Sequence, residues 1–326
     1  MPTGTRPDPG NAGVGKRDFT FYAATLAVFL FSPAKCHRHH CFFTVVCGKE
    51  RYNLNFMKKA LSIAGSDCSG GAGIQADLKT FSAHGVFGMT VITSVVAENT
   101  FRVTDYQDIR PDIIEKQIDD IFEDIVPDAV KIGMLSCRET MLSVAKKLRQ
   151  WRPLNVVVDP VMYAKNGSPL MEESAIGTLI SEIVPLADLV TPNIPEAERM
   201  TGMTIKNRED MRKAAQLIFD MGCRAVVVKG GHSDGDPIDI LFDGDSYFEY
   251  PAYRVNTKHT HGTGCTFSSS IASNLALGFP VYEAVAKSKE YINAAIANAP
   301  ELGRGNGPTH HFYEMYRAYF RGDSCG

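Results

Sequence analysis

From Ala60 onward, short apolar runs rich in Val and Ile alternate with longer segments whose apolar residues recur at helical spacing. A run of four or five apolar residues suits a strand buried on both faces, and a helix between two such runs returns the chain to start a parallel neighbour. The strands expected on this basis are residues 60–64, 86–97, 129–132, 156–159, 189–191 and 225–229. The helices expected are 70–85, 111–126, 139–151, 174–184, 208–221 with Gly222 as its stop, 264–277, 281–298 and 310–320. Residues 239–243 and 246–250 flank Gly244 and predict a hairpin. The sum is an α/β fold, with a mostly parallel central sheet flanked by helices.

At 326 residues and 44% hydrophobic, the chain has material for one large core. Its net charge of -3 leaves no broad basic surface for nucleic acid, so phosphorylated ligands must be bound by local devices. The eight cysteines are scattered, which fits reduced thiols better than a disulfide framework.

In a parallel sheet, ligands bind beyond the carboxyl ends of the strands. The residues to watch are therefore the Gly65 loop, Glu98, Gly133-Met134, Asp159, Asn193 and Gly230-Gly231. The strongest segment is His261-Gly262-Thr263-Gly264-Cys265-Thr266, followed by a helix of small residues. Two glycines before a helix let backbone N–H groups converge where the helix dipole adds positive charge, which is a device for an anion. Cys265 stands in the first turn, where a thiol is expected to be acidified, and is placed to take a proton from a hydroxyl. The plainer reading is a glycine turn with a buried, inert cysteine.

The loop Gly65-Ser66-Asp67-Cys68-Ser69-Gly70-Gly71-Ala72-Gly73 lies between a strand and a helix. Gly71 to Ala76 also satisfies G-x-G-x-x-A, the dinucleotide pattern of a dehydrogenase. Asp77 could cap helix N–H groups or bind a substrate hydroxyl. Asn193 and Glu196 are spaced to face one Mg²⁺, or else to start a helix with Pro195 in its first turn. Asp159 is a further carboxylate at the same rim. Lys229 could meet phosphate oxygens or merely end a strand. Together these make the set that phosphoryl transfer needs: acids for the metal, donors for the moving charge and a base for the hydroxyl.

These residues resemble hydroxymethylpyrimidine/phosphomethylpyrimidine kinases of thiamine biosynthesis. The likeness runs from about Met57 to Tyr316. It is most specific at Asn256-Thr257-Lys258-His259-Thr260 leading into His261-Gly262-Thr263-Gly264-Cys265-Thr266. The resemblance implies a ribokinase-like fold, a homodimer, and two ATP-dependent phosphorylations of 4-amino-5-hydroxymethyl-2-methylpyrimidine, with Mg²⁺. It implies Cys265 as base and Gly262, Thr263 and Gly264 as anion hole. Gly65, Asp77 and Met134 would line the pyrimidine pocket. Asn193, Glu196 and Asp159 would serve Mg²⁺ and phosphates, with Lys229 and Thr260 near the nucleotide. Glu98 stands where a Gln commonly reads the pyrimidine edge, and a carboxylate cannot donate to a ring nitrogen unless it or the ring is protonated. Pyridoxal and pyridoxine kinases of the same fold are the neighbouring alternative. A ligand sensor on a kinase fold is disfavoured by the anion turn and Cys265.

Residues 1–56 are a different kind of sequence, expected to be a disordered extension or a misassigned start, with a kinase domain over 57–326. Residues 19–31 are almost wholly apolar but too short for a membrane span of about 20 residues. Lys16 and Arg17 before them imitate a signal peptide, but an ATP-using enzyme is expected in the cytoplasm, with no membrane or nucleic-acid partner. Gly10 to Lys16 spells a P-loop except that Arg17 replaces the needed Ser or Thr. Cys36, His37, His39, His40 and Cys41 are crowded unlike a paired-ligand metal site.

Overall fold

The computed structural model describes residues 57–165, 167–231 and 237–320. The apolar run, the P-loop-like string and the Cys/His cluster before Met57 lie outside the described residues. A nine-stranded sheet runs in the order β3-β2-β1-β4-β5-β6-β7-β8-β9. Its centre is parallel: β2 (Phe87–Glu98), β1 (Lys59–Asp67), β4 (Ala129–Ile132), β5 (Val156–Val158), β6 (Leu189–Val190) and β7 (Val226–Val228). The edges turn antiparallel, with β3 (Val103–Asp108) on one side and the hairpin of β8 (Ile238–Phe242) and β9 (Tyr247–Pro251) on the other.

Side chains alternate across this sheet, and the two faces collect different helices. Leu61, Ile63, Val156, Val158, Val226 and Val228 face a layer that includes α2 (Pro111–Asp124), α3 (Arg138–Trp151) and α6 (Arg208–Phe219). Ala60, Val157, Leu189 and Val227 face α1 (Gly73–Ala83), α7 (Thr263–Ala276) and α8 (Val281–Ala297). Both layers supply fully buried aliphatic side chains, each contributing roughly 1.5–3 kcal/mol.

Three departures from the sequence reading have physical causes. The strand β3 was not expected because its pattern is largely exposed and carries no apolar alternation. The expected helix over 174–184 is instead a 3₁₀ turn, one turn of α4 (Ile176–Thr178), a π turn and a second 3₁₀ turn. Pro185 in that last turn cannot donate to a helical ladder. The first glycine-rich helix begins only at Gly73, because the loop before it is held by a side chain, described below.

Strands β5, β6 and β7 stop just before Asp159, Thr191 and Lys229. Each of these still donates its N–H, to Ile132, Val158 and Pro192 respectively, so the rim is firmly held. Two further helices belong to the described residues: α5 (Ile194–Thr201) opens directly after β6, and α9 (Tyr313–Phe320) closes them. Among them, no helix is long and apolar enough to cross a membrane.

Candidate active site

The rim opens into a cavity of about 600 Å³, lined at its centre by the turn entering α7. Gly262 caps this helix at φ 72, and a Cβ there would stand 1.7 Å from the carbonyl oxygen of Gly71. Conformation and contact both demand glycine. The Thr263 hydroxyl braces the turn by donating to the Thr260 carbonyl at 2.7 Å. The opening N–H groups of a helix have no intrahelical partner, so those of Gly264 and Cys265 present donors with the helix dipole behind them. A Cβ on Gly264 would lie 3.2 Å from the Asp159 carboxylate and 3.4 Å from the Lys229 ammonium. The anion turn thus touches the acid–base pair of the sheet rim.

That pair is tight: Lys229 Nζ lies 2.7 Å from Asp159 Oδ1, with Asp159 buried and Thr191 donating to the same carboxylate at 3.3 Å. Burial disfavours the Lys229 charge, but Asp159 and then Glu196 hold it above the ordinary lysine range. Asn193 and Glu196 start α5 through reciprocal bonds: Asn193 N–H to Glu196 at 2.8 Å and Glu196 N–H to Asn193 at 2.9 Å. Both also line the cavity, so helix start and ligand wall are one arrangement. Burial pushes the Glu196 carboxyl up to about 7; Lys229 pulls it down and Asp159 pushes it further up.

Across the turn, Gly65, Glu98 and Met134 line the other side of the cavity. A Cβ on Gly65 would press to 3.0 Å from Met134 Sδ, so the glycine keeps a thin slot open beside the thioether. Burial, then the charge of Asp67, push Glu98 up to about 7. Asp67 is an acceptor for five donors: Ser69 N–H and hydroxyl, Gly71 N–H, Ala72 N–H and His261 Nε2, at 2.7 to 3.0 Å. Burial opposes its charge, yet His261 and Ser69 hold it well below the usual carboxylate range.

Three expectations need correction here. Asp77 does not line the cavity. It is wholly buried beneath it, accepting from Ser62 at 2.5 Å, from Ser269 at 2.7 Å and from Lys131 at 2.9 and 3.0 Å. Burial disfavours the Lys131 charge, but Asp77 beside it keeps the ammonium above its ordinary range. The Cys265 thiol is likewise not acidified by its helix. Burial pushes it up to about 11; Lys131 pulls against this while Asp77 and Asp159 add to it. The dinucleotide pattern fails too, since the N–H groups of Gly71 and Ala72 are already spent on Asp67. Gly65, Glu98, Met134, Asp159, Asn193, Glu196, Lys229, Thr260 and Gly262 to Cys265 all line this cavity, whereas Gly133 and Gly230 do not.

The sequence matches the phosphomethylpyrimidine kinase family over residues 67–310. The chain belongs to that family. The hydroxymethylpyrimidine/phosphomethylpyrimidine kinase of Rhizobium meliloti is 50% identical over 262 residues, covering 79% of this chain and 98% of that one. The crystal structure of phosphomethylpyrimidine kinase from Clostridium difficile shares 48% identity at a TM-score of 0.67, covering 73% of this chain and 99% of that one. An ADP complex of Bacillus subtilis pyridoxal kinase shares 39% identity at a TM-score of 0.75, covering 80% and 99%. The chain spans about half, 51%, of the length of a bifunctional thiamine biosynthesis relative from Geobacter sulfurreducens. With such neighbours the fold is ribokinase-like and the family is one of kinases.

Sequence reasoning missed Asp67 and Lys131. Asp67 had a signal: an Asp opening a Ser-Gly-Gly run is placed to receive several backbone N–H groups. Lys131 had a weaker one, a lone cation inside the four-residue apolar strand β4.

Proposed function

We propose that this chain transfers the γ-phosphoryl group of ATP to the hydroxymethyl oxygen of 4-amino-5-hydroxymethyl-2-methylpyrimidine, and then a second to the monophosphate. The observation that carries it is the anion turn at Gly262–Cys265 standing, in one cavity, between a slot with a ring-edge carboxyl and a cluster of acids with a lysine. The γ-phosphoryl group rests against the N–H groups of the turn. The hydroxymethyl oxygen bonds to phosphorus as the bond to the ADP oxygen breaks, and the hydroxyl proton passes to the Cys265 thiolate, whose own proton has first gone to solvent. Lys229 and Thr260 approach the nucleotide. Oxygen donors suit Mg²⁺, and Asp159 with Glu196 and Asn193 would hold it on the phosphates, where it supplies charge neutralisation. A reaction that consumes ATP belongs in the cytoplasm. We take residues 57–326 as the kinase domain and the working form as a homodimer, which light scattering would read as twice the 35.7 kDa chain mass.

The test is a coupled ATPase assay on the full chain with the pyrimidine against pyridoxal, products followed by mass. The expected result is sequential mono- and diphosphate of the pyrimidine, with turnover cut by about 10²- to 10⁴-fold in Cys265→Ala. Turnover of pyridoxal alone would move the assignment to the pyridoxal kinases, to which the fold is also close.

A further inference from the structure

The two proposed transfers differ in the charge of their acceptors. The first acceptor is a neutral hydroxyl. The second is a phosphate monoester, which carries a charge of about −1.5 to −2 at pH 7. It is mostly deprotonated already, so the second transfer needs positive charge at the acceptor more than it needs a base.

Most cations of the cavity are engaged. Lys229 is bound to Asp159 at 2.7 Å and Lys289 to Asp239 at 2.6 Å. Arg254 donates to the Gly231 carbonyl at 3.3 Å, and His261 meets Asp67 at 2.9 Å. Lys131, beneath the floor, is taken up by Asp77. Lys165 also lines the cavity, and among the described residues no carboxylate is set against it. The residue is exposed as a whole, but the cavity wall strips water from its ammonium, and this burial alone lowers its pKa from the ordinary lysine value. A partly desolvated cation without a counter-charge is relieved by an anion that enters beside it. No ion pair has to be broken first.

The backbone sets where this lysine stands. It rides on a small hairpin that leaves the end of β5. Tyr163 pairs with Pro169 across the hairpin, Leu170 N–H donates to the Met162 carbonyl at 2.9 Å, and Ala164 N–H donates to the Ser168 carbonyl at 2.8 Å. Gly167 turns the chain at φ 85. The base is anchored by Met162, buried in the core, and by the Arg199 guanidinium over the Tyr163 ring at 5.8 Å. In the sheet, β5 lies between β4, which runs on to Met134 in the ring slot, and β6, which runs on to Asn193 in the acid cluster. The hairpin therefore starts between the two halves of the cavity. Asp159, at its root, is the carboxylate that a Cβ on Gly264 of the anion turn would approach to 3.2 Å. Acceptor and donor phosphates have to meet in that gap.

We infer that Lys165 binds the acceptor phosphate of the second transfer and leaves the first, to a neutral hydroxyl, nearly independent of it. This rests on the proposed pyrimidine reading. In the second transfer an oxygen of the acceptor phosphate bonds to the γ-phosphorus as the bond to the ADP oxygen breaks, giving the diphosphate and ADP. Lys165 neither gives nor takes a proton. Its ammonium offsets the repulsion between two phosphates brought together.

The test assays the two steps separately on the full chain, one with the hydroxymethylpyrimidine and one with its monophosphate supplied directly. In Lys165→Met, KM for the monophosphate should rise roughly 10- to 100-fold, while KM for the alcohol, and for ATP in the first step, stay within about twofold. Lys165→Arg keeps the charge and should recover most of the loss. Added KCl should raise KM for the monophosphate in wild type and much less in Lys165→Met, because salt screens an accessible charge pair. A merely structural hairpin would move both acceptors together and leave the salt dependence in place. Calorimetry of the monophosphate on the ATP-free protein reads the same contact without turnover and should show the same weakening. An unchanged KM for the monophosphate in Lys165→Met overturns the assignment. So does an equal loss with both acceptors, which would put Lys165 on the nucleotide. A wild type that forms no diphosphate from the monophosphate fails differently: it removes the proposed second reaction, and the acceptor with it.

Discussion

Cys265 stands third in α7, where the helix dipole favours a thiolate, yet its thiol is held up to about 11. Burial outweighs the dipole, and the carboxylates of Asp77 and Asp159 add to it. A thiol of this kind is scarcely ionised at neutral pH but binds a proton strongly once it is. If it serves as the proposed base it does so through the small fraction already ionised, which the Lys131 ammonium favours. The rate of iodoacetamide alkylation at Cys265 should therefore keep climbing past pH 9, where an ordinary thiol of pKa about 8.5 has levelled off. Mapping the labelled cysteine by mass would check this, and a plateau near pH 8 would show an acidified thiol instead. Gly264 is a glycine for a related reason: a side chain there would intrude on the Asp159–Lys229 pair.

At the scale of elements, the strand β4 and helices α1 and α7 are joined under the cavity floor by Lys131, Asp77 and Ser269. The ion pair is wholly buried, so neither charge has water to fall back on. Lys131→Met should destabilise the fold by about 3–5 kcal/mol, because it strands the Asp77 charge. Urea denaturation would read this as a lower midpoint with unchanged slope, and a loss under about 1 kcal/mol would mean the pair is not dry. The parallel strands were legible in the sequence because burial on both faces leaves continuous apolar runs such as 156–158 and 226–228. The edge strand β3 was not, since an exposed ladder is written in backbone bonds rather than side chains. In the site, glycine spacing announced the tight turn that enters α7. Asp77 misled, because its contacts with Ser62, Lys131 and Ser269 come from residues remote in sequence that no local pattern displays.

At the scale of the molecule, acid sensitivity divides between groups of opposite sign. His84 is buried between Thr80 and Ser270, and burial lowers its pKa. Burial, with Lys79, His310 and His261, pushes His311 down to about 4, where its ring meets the Thr266 hydroxyl at 3.1 Å. Both are neutral in the fold and charge more readily when unfolded. Their stabilising share is full above the unfolded value near 6.5 and is lost as pH falls through the folded value, about 4 for His311. Glu98 and Glu196, raised to about 7, act in the opposite sense and gain from acidification. The comparison to make is thus between variants: from pH 6.5 to 4.5, Tm should fall less in His311→Gln than in wild type. Equal slopes would remove His311 from the account.

The bond between Asp67 and His261 spans 194 positions, and that between Asp77 and Ser269 spans 192. A ribosome releases the glycine loop of β1 long before it releases the turn that must lie on it. Until then the loop has its donors and its carboxylate but no ring to lock against, and the cavity lacks the wall proposed to hold phosphate. No nascent or truncated chain ending before α7 is a weak version of the enzyme. The proposed site can be complete only once α7 has been made and its turn has closed on the loop of β1.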